Sequence, residues 1–323
     1  GQERRQGMSI AILGGGAFGT SLALTLSRDG TDVALWSRDA QDANTMRSTR
    51  KTGRRLPGLD LPDSLTVAPT VPRADVMLIA VPAQSVRAFL EEHSARLAGQ
   101  VVITCAKGIE RGTGLGPVDV IQSVLPDARA GCLTGPSFAV DIARGLPTAL
   151  VLAMKDGSED IQSALTRPTF RIYRTSDVAG AQLGGALKNV IAIAAGIAIG
   201  AGLGDSARAS VIARGFAEMS RYARQKGAES ETIQGLSGLG DLVLTCTSEK
   251  SRNFSAGILL GQGKPPDSSV TVEGIATAQA VVVEATSLGI DMPLSSAIAA
   301  VTEGRLDIGT AIETLLARPA GKE

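Results

Sequence analysis

Apolar residues in the first half of the chain occur in short runs, each followed by glycine, proline or small polar residues. Short apolar runs bounded in this way predict the buried strands of a parallel sheet, with helices between them. The predicted strands cover residues 9–13, 32–36, 75–81, 101–105, 148–154 and 170–175, and another ends just before Gly135. After Asp177 the pattern predicts helices only. We therefore expect an α/β domain over residues 1–187 and an all-α domain over residues 188–323.

The central apolar stretch covers residues 184–196 and contains Lys188 and Asn189. Alanine dominates it and no proline interrupts it, so it predicts a buried helix, capped by Asp177 and ending near Gly200. Taken alone, Lys188 would be expected to reach solvent, because lysine is seldom fully buried. The candidate chemistry elsewhere in the chain favours a buried lysine, whose pKa burial would lower.

A dinucleotide-binding motif follows the first predicted strand. Residues 14–20 read Gly-Gly-Gly-Ala-Phe-Gly-Thr and lead into a helical pattern, in the order strand, G-x-G-x-x-G, helix. Gly14 permits the tight turn, Gly16 lets a pyrophosphate approach the backbone, and Gly19 lets helix and strand pack closely. The helix N-terminus supplies N–H donors for the phosphates. An ordinary glycine-rich loop is the alternative, but the flanking elements favour a Rossmann-type domain.

The end of the second predicted strand bears on the choice of cofactor. NAD-specific sites usually place an acidic residue there, which binds the ribose 2′-hydroxyl. Here the strand is followed by Ser37, Arg38 and Asp39. Ser37 and Arg38 suit a 2′-phosphate, whereas Asp39 keeps NAD open, and a solvated arginine is the alternative for Arg38. The expected cofactor is therefore NADP or NAD.

Further candidates lie after predicted strands and in the helical half. Lys107 follows a strand, at the edge where open α/β sheets bind ligands. Ser137 is expected to cap a helix over residues 139–144, and the same turn can contact a ligand. In the helical half, Asp241 could orient a buried lysine, while Arg252 and Asn253 offer donors for a phosphate.

Other polar groups are interpreted as surface. The arginines and the lysine of residues 47–55 predict a solvated basic loop. His93 lies in a polar helical segment and is expected to be solvated, which argues against a histidine general base. Tyr222 and Lys226 match the Tyr-x-x-x-Lys pair of short-chain dehydrogenases, but they follow the predicted sheet. We therefore expect a solvated helix face there.

Composition excludes several function classes. The 323 residues suffice for two domains, and 32 basic against 32 acidic side chains give no net attraction to nucleic acid or a membrane surface. Cys105, Cys132 and Cys246 show no paired spacing, so neither disulfides nor a metal site are expected, which fits the cytoplasm. Residues 190–203 are expected to be too short a run for a membrane span, and residues 1–7 lack the apolar region of a signal peptide.

The motifs together resemble the bacterial type of NAD(P)-dependent glycerol-3-phosphate dehydrogenase, from Ile10 to about Leu316. They are Gly-Gly-Gly-Ala-Phe-Gly-Thr (14–20), Ala-Lys-Gly-Ile-Glu (106–110), Gly-Pro-Ser-Phe-Ala (135–139), Leu-Lys-Asn-Val (187–190), Gly-Leu-Gly-Asp-Leu (238–242), Ser-Arg-Asn (251–253) and Val-Glu-Gly (272–274). Their number and order make the resemblance specific. Gly15 departs mildly from the alanine common in the family, while Phe18 fits its aromatic position.

The resemblance implies roles for individual residues. Lys188 corresponds to the family's proton donor and acceptor, and Lys107 and Asp241 are expected in the catalytic centre with it. Besides the glycines of the fingerprint, cofactor contacts are expected for Ala17, Phe18, Arg38, Lys107, Ala139, Arg252, Thr271 and Glu273. Substrate contacts are expected for Lys107, Gly135, Ser137, Lys188, Asn189, Asp241, Thr245, Ser251, Arg252 and Asn253.

The implied reaction interconverts sn-glycerol 3-phosphate and dihydroxyacetone phosphate and feeds glycerophospholipid synthesis. Hydride addition to the ketone leaves a developing alkoxide at C2, which a lysine ammonium can stabilise and protonate. A nearby Lys107 would lower the pKa of Lys188 by like-charge repulsion, in addition to burial. Arg252 and Asn253 can supply the donors that the substrate phosphate needs, and the reaction requires no metal.

Two other functions stay open on the sequence. A β-hydroxyacid or 6-phosphogluconate-type dehydrogenase also joins a Rossmann domain to a helical domain and uses a lysine, but it acts on a carboxylate. A non-catalytic dinucleotide-sensing protein would need neither a buried Lys188 nor Arg252. The expected partners are a small phosphorylated substrate and a second copy of the chain in a homodimer, with no nucleic acid and no integral membrane segment.

Overall fold

The computed structural model describes residues 7–316, so most of the short segment considered above for a signal peptide lies outside the described residues. The strands are β1 (Ile10–Leu13), β2 (Val33–Trp36), β3 (Leu65–Ala68), β4 (Val76–Ile79), β5 (Val101–Thr104), β6 (Arg129–Thr134), β7 (Thr148–Met154) and β8 (Phe170–Thr175). The helices among them are α1 (Ala17–Ser27), α2 (Ala40–Thr49), α3 (Val86–Glu92), α4 (Ser94–Leu97), α5 (Pro117–Val124), α6 (Ala139–Ala143) and α7 (Glu159–Leu165). The later helices are α8 (Val178–Gly200), α9 (Gly204–Gln225), α10 (Ser230–Gln234), α11 (Asp241–Cys246), α12 (Arg252–Gly261), α13 (Glu273–Leu288), α14 (Pro293–Thr302) and α15 (Ile308–Leu316).

Contacts divide the chain into two compact units. The N-terminal unit comprises the residues up to Ala106 and Pro117–Val178, and the C-terminal unit comprises Lys107–Gly116 and the residues from Ala179 onward. The boundary expected at residue 188 lies inside α8, whereas the contacts place the boundary between Val178 and Ala179. The reason is that α8 is one continuous helix that belongs to the helical core. The segment Lys107–Gly116 joins the helical unit, where Ile109 is part of the apolar core.

The N-terminal unit is built on one sheet with the strand order β3-β2-β1-β4-β5-β6-β7-β8. Neighbouring strands are parallel except for the antiparallel pair β6 and β7. The chain order reverses beside β1, and dinucleotides bind at such a switch point in open α/β sheets. The predicted Rossmann-type domain is thus confirmed, and the described chain after β8 contains helices and no strand, as expected.

Strand β3 is the element that the apolar pattern missed. Its four residues Leu65–Ala68 pair only with β2, at the edge of the sheet, and they include a polar threonine. The predicted ranges of β7 and of β8, the strand at the opposite edge, are confirmed to the residue.

The prediction of a solvated basic loop is wrong in part, because Arg47 is exposed but lies on a helix and Arg50 is held by the backbone. Arg47 lies in the last turn of α2. Arg50 ends that helix with a left-handed backbone (φ 53°), and its guanidinium donates to the backbone oxygens of Leu65 at 3.0 Å and Pro62 at 2.6 Å. The charge therefore ties the end of α2 to the chain around β3, a role that charge patterning alone does not distinguish from solvation.

Two further local predictions are corrected in the same unit. Ser137 does not cap a helix, because α6 begins after Phe138 and the Ser137 hydroxyl donates to the Gly135 carbonyl at 3.2 Å. His93 is not a solvated residue, since its ring packs against Trp36 and Phe89, with ring centroids 5.4 and 4.7 Å away. Its apolar surroundings still make it a poor candidate for a general base.

The C-terminal unit packs around α8. This helix is long and apolar enough for a membrane span by length and composition, contrary to the expectation from residues 190–203, yet 89% of its most apolar window is buried inside the protein. A core helix passes the same test, so the helix is weak evidence for a membrane segment. The lysine expected in this helix is buried, with only 6% of Lys188 exposed.

Tyr222 and Lys226 do not form a solvated helix face. Tyr222 is fully buried, and its hydroxyl donates to the Glu284 carboxylate, which also pairs with the Lys226 ammonium. Burial and the adjacent carboxylate raise the pKa of the Tyr222 phenol far above its usual range. The Tyr-x-x-x-Lys spacing here joins α9 to α13 and leaves the phenol unsuited to proton transfer.

Candidate active site

The turn after β1 has the backbone that a pyrophosphate requires. Gly14 has a φ of 136°, and a side chain on it would overlap the carbonyl of Ala80. A side chain on Gly19 would overlap the Gly14 carbonyl, so both glycines are needed for α1 to start so close to the sheet. Beside Gly16, by contrast, the space is open within 4 Å. Because Gly16 precedes the free amides of α1 and the first turn has no acidic residue, this surface suits phosphate groups.

The end of β2 explains one departure from the family pattern. A Cβ atom on Gly15 would lie 2.5 Å from Cβ and Oγ of Ser37, so glycine at 15 makes room for serine at 37. Asp39 caps α2 by accepting from the Asp42 amide at 3.0 Å and forms an ion pair with Arg54 at 2.7 Å. Its carboxylate is therefore occupied, whereas Arg38 is exposed. This arrangement favours Arg38 as the residue that faces the ribose.

The end of β6 contributes a second turn at the same sheet edge. Gly135 has a φ of 137° and directly follows the strand, and Ser137 and Ala139 stand where α6 begins. The carboxyl ends of β1, β2 and β6 lie on one edge, because these strands run in parallel through β4 and β5. The predicted contacts of the N-terminal unit thus share one edge of the sheet.

A buried charge cluster forms the centre of the C-terminal unit. The Lys188 ammonium donates to Asp241 Oδ1 at 2.6 Å and to Thr245 Oγ1 at 2.8 Å. The Lys107 ammonium donates to the other carboxylate oxygen, Oδ2, also at 2.6 Å. The side chain of Asp241 is 1% exposed, that of Lys188 8% and that of Lys107 16%. One carboxylate therefore holds two ammonium groups, of which Lys107 is the more accessible.

The electrostatics of the cluster leave Lys188 able to exchange a proton near neutral pH. Burial lowers the pKa of Lys188 to about 8, and attraction to Asp241 only partly offsets this effect. Lys107 lowers it further by repulsion, in the direction that the sequence predicts. Burial opposes ionisation of Asp241, but the two ammonium groups outweigh it and keep the pKa of that carboxyl below its usual value.

Two neighbours hold the cluster in place. The Asn189 amide donates to the backbone carbonyl of Lys107 at 3.2 Å and so anchors the segment that carries this lysine. The Thr245 hydroxyl donates to the backbone oxygen of Asp241 at 2.6 Å, which leaves an oxygen lone pair for Lys188. Both residues were expected to contact substrate, and the structure adds these positioning contacts, which side-chain type alone does not reveal.

The region expected to bind phosphate lies at the start of α12. Ser251 caps this helix by accepting from the Phe254 amide at 3.2 Å, and Arg252 is its exposed first residue. Asn253 Oδ1 accepts from the Gly274 amide at 2.8 Å. This bond fixes the orientation of the side-chain amide, with its oxygen toward the start of α13. The contact was not predicted, although Asn253 and Gly274 both lie in the motifs noted above.

The remaining predicted residues lie at the start of α13. Thr271 is exposed in the segment before this helix, and Glu273 is its first residue. Within residues 7–316 no group of three or more His, Cys, Asp or Glu side chains could hold a metal ion.

Comparisons with known proteins agree with this picture. Two family models match the chain, the N-terminus of NAD-dependent glycerol-3-phosphate dehydrogenase over residues 9–160 and the C-terminus over residues 177–313. The chain is 54% identical to the glycerol-3-phosphate dehydrogenase [NAD(P)+] of Roseobacter denitrificans and 53% identical to that of Paracoccus denitrificans, over 98% of this chain and all of each relative.

Solved structures show the same likeness. The crystal structure of glycerol-3-phosphate dehydrogenase from Coxiella burnetii is 34% identical, with a TM-score of 0.91 over 97% of this chain and 99% of that chain. A PanE/ApbA family ketopantoate reductase from Ralstonia eutropha shares the fold alone, at 18% identity and a TM-score of 0.63 over 92% of this chain and 98% of that one.

Proposed function

Because the chain belongs to the NAD-dependent glycerol-3-phosphate dehydrogenase family, we propose that Lys188, Asp241 and Lys107 form its catalytic centre. The enzyme is an oxidoreductase that interconverts sn-glycerol 3-phosphate and dihydroxyacetone phosphate with NAD(P)H. The observation that carries the proposal is the buried Lys188 ammonium, bound to a carboxylate that a second lysine shares.

Lys188 Nζ is proposed as the group that moves the proton. When bound, the nicotinamide cofactor supplies or accepts the hydride at C2 of the substrate. In ketone reduction the Lys188 ammonium stabilises the negative charge that develops on the C2 oxygen and donates a proton to it. In alcohol oxidation the neutral Lys188 amine takes the proton from the C2 hydroxyl. A pKa of about 8 makes both protonation states accessible near neutral pH.

Asp241 and Lys107 have supporting roles in this proposal. Asp241 orients Lys188 and partly offsets its charge, while Lys107 keeps the carboxylate ionised and lies accessible enough to touch substrate. Asn189 positions Lys107 through its carbonyl. Arg252 and the NH₂ group of Asn253 bind the substrate phosphate, because a guanidinium fork and an amide supply donors of matching geometry.

The residues of the N-terminal unit fit a dinucleotide. The open surface at Gly16 and the start of α1 would receive the pyrophosphate, with Ala17 and Phe18 beside it. Arg38 would face the ribose and favour its 2′-phosphate. Further cofactor contacts are proposed for Ala139, Lys107, Arg252, Thr271 and Glu273, and further substrate contacts for Gly135, Ser137, Thr245 and Ser251, in each case on the family likeness.

A substrate comparison tests the function. The purified enzyme is assayed by nicotinamide absorbance with NADPH and dihydroxyacetone phosphate, with unphosphorylated dihydroxyacetone, and with a 3-oxo acid. We expect turnover with the phosphate ester only. Preference for the 3-oxo acid would identify a β-hydroxyacid dehydrogenase instead, and cofactor binding without turnover of any substrate would identify a dinucleotide sensor.

The setting of the enzyme is part of the proposal. Residues 1–187 are proposed to bind the cofactor and residues 188–323 the substrate, with Lys107 acting alongside the second set. The enzyme is proposed to act in the cytoplasm as a homodimer and to feed glycerophospholipid synthesis.

A further inference from the structure

The residues directly before Asp241 form a π-helical turn. Leu236–Gly240 adopts this wider turn, and the Gly240 amide donates to the Gly235 carbonyl, five residues earlier, at 3.0 Å. Helix α11 then begins at Asp241. π turns are rare, occur mostly as single turns and change the register of the helical residues that follow them. The register of Asp241 therefore depends on what holds this turn.

Gly184 on α8 is the residue against which the turn rests. A Cβ atom on Gly184 would lie 2.7 Å from the Ser237 carbonyl oxygen and 3.0 Å from Gly238 Cα. The first distance is shorter than Cβ atoms show in proteins and the second is tighter than nine in ten such contacts, so a side chain at 184 would force a shift of this backbone. The turn has little room to retreat, since Ser237 is 1% exposed and Gly238 packs against the Ile233 carbonyl.

The contact lies one helical turn from the charge cluster. Gly184 precedes Lys188 by four residues, so the two residues share a face of α8. On the other side, Asp241 follows Gly238 by three residues and begins α11. The spacing between α8 and the π turn at Gly184 thus controls the distance between Lys188 and Asp241 one turn further along.

We infer that Gly184 is a positioning residue of the catalytic centre. Because it has no side chain, the π turn can approach α8 closely enough for Asp241 to lie between Lys188 and Lys107. This inference rests on the proposed catalytic role of Lys188 and Asp241. It assigns a function to a glycine that touches neither substrate nor cofactor and acts through the carboxylate.

Gly184→Ala is the direct test. The new methyl group pushes the π turn away by a few tenths of an ångström, which lengthens the 2.6 Å contact between Asp241 and Lys188. Lys188 stays buried but loses attraction, so its pKa falls. As the pH rises, the variant therefore loses reduction, which needs the ammonium, at a lower pH than the parent does. Oxidation, which needs the amine, likewise begins at a lower pH than in the parent. We expect both kcat profiles to move down by roughly half a pH unit or more, with kcat reduced roughly tenfold.

Gly200→Ala is the matched control. Gly200 lies on the same helix, and a Cβ atom on it would overlap the Ile258 carbonyl, away from the π turn. Both variants strain a helix contact and are expected to lower the melting temperature. Only Gly184→Ala is expected to move the pH profiles, which separates positioning from general loss of stability.

The ionisation of Lys188 can also be measured by chemical labelling, without an activity assay. Trace acetylation of the whole enzyme with acetic anhydride across a pH series, followed by peptide mass spectrometry, reports how readily Lys188 is labelled at each pH. We expect its labelling midpoint to shift down in Gly184→Ala and to stay in Gly200→Ala. An unchanged midpoint together with an unchanged kcat profile would overturn the role of Gly184. A shifted midpoint with an unchanged kcat profile would instead overturn the catalytic role of Lys188.

A second variant covers the case in which Gly184→Ala does not fold. Leu239 lies in the π turn and is 37% exposed, so deleting it converts the wide turn toward an α turn without removing core. The deletion is expected to withdraw Asp241 from Lys188 and to lower the labelling midpoint of Lys188. A folded deletion variant with the parent's midpoint and pH profiles would refute the positioning role of the turn.

Discussion

At the scale of single residues, the buried charge on Lys188 is tolerated because its ammonium donates to a carboxylate and to a hydroxyl. Asp241 and Thr245 accept its hydrogen bonds at 2.6 and 2.8 Å, and the carboxylate remains ionised because Lys107 binds its other oxygen. Removing one partner of such a buried set leaves a group without compensation, which costs more than a surface ion pair would. Substitutions here should therefore affect chemistry and stability by different routes, which can be measured separately.

Lys188→Ala is expected to lower kcat by about 10²–10⁴-fold, the usual contribution of a general acid. Cofactor binding, followed by nucleotide fluorescence, should survive, because the Gly14 turn lies in the other unit. Lys188→Arg should not restore oxidation, since a guanidinium stays protonated. In the parent, reduction should decline as the pH rises through about 8, where the ammonium is lost. A folded, cofactor-binding alanine variant with near-normal turnover would refute the catalytic role.

Arg252→Ala is expected to raise KM for dihydroxyacetone phosphate by an amount equivalent to about 1.5–3 kcal/mol, as for a hydrogen bond to a charged group. Turnover of unphosphorylated dihydroxyacetone should stay as poor as in the parent. Arg224→Ala, which removes another exposed arginine of the same unit, is the control and should change neither. Steady-state kinetics with an unchanged KM for the phosphate ester would exclude Arg252 from the site.

Arg38→Asp is expected to raise KM for NADPH more than KM for NADH. The added carboxylate repels a 2′-phosphate but can accept from a ribose 2′-hydroxyl. Asp39 cannot replace Arg38 in this discrimination, because it caps α2 and pairs with Arg54. Equal effects on both cofactors, or no effect on either, would show that Arg38 does not face the ribose.

At the scale of elements, the first turns of α13 and α14 are capped by side chains from distant parts of the chain, Asn253 and Glu218. Glu218 on α9 is 3% exposed and accepts from the amides of Leu294 and Ser295 at 2.8 and 2.9 Å. It also accepts from the Ser295 hydroxyl at 2.6 Å. Burial raises the pKa of Glu218, an effect that these hydrogen bonds oppose. A carboxylate at the N-terminus of α14 replaces the local cap that the sequence before this helix lacks.

Glu218→Ala is expected to lower the free energy of unfolding by about 3 kcal/mol, because it leaves buried amides of α14 without an acceptor. Glu218→Gln keeps one acceptor oxygen and avoids burying a charge, so its loss should be smaller. Glu313→Ala removes an exposed glutamate on α15 and is the control, expected within about 0.5 kcal/mol of the parent. Urea denaturation measures all three, and equal midpoints for the parent and Glu218→Ala would contradict the capping role.

At the scale of the whole molecule, the chain consists of a Rossmann-type sheet unit and a helical unit, and the charge cluster belongs to the helical unit. Each unit has its own apolar core, and the short segment Lys107–Gly116 brings a lysine that follows a strand into the helical unit. The pKa of Lys188 is thus set within the helical unit, whose core is separate from that of the sheet unit.

The proposed homodimer is tested at the same scale. Sedimentation velocity of the full chain at micromolar concentration is expected to give twice the mass of one chain, independent of added NADPH. A species with the mass of one chain across the concentration range would contradict the dimer and would leave the catalytic proposal unaffected, since Lys188, Asp241 and Lys107 all come from one chain.

Sequence alone determined the features that depend on neighbours along the chain. The strand–glycine–helix order at Gly14, the apolar runs of the sheet and the long helix around Lys188 all follow from local periodicity and backbone freedom. The family motifs also marked Lys107, Asp241 and Arg252 as candidates.

Only the tertiary structure decided which of these groups meet and what each one does. The pairing of Lys107 with Asp241, the burial of Tyr222, the stacking of His93 and the seat of the π turn on Gly184 join residues far apart in the chain. Local patterns cannot predict such contacts, because the energy of a buried charge, a ring or a missing side chain depends on what the fold brings against it.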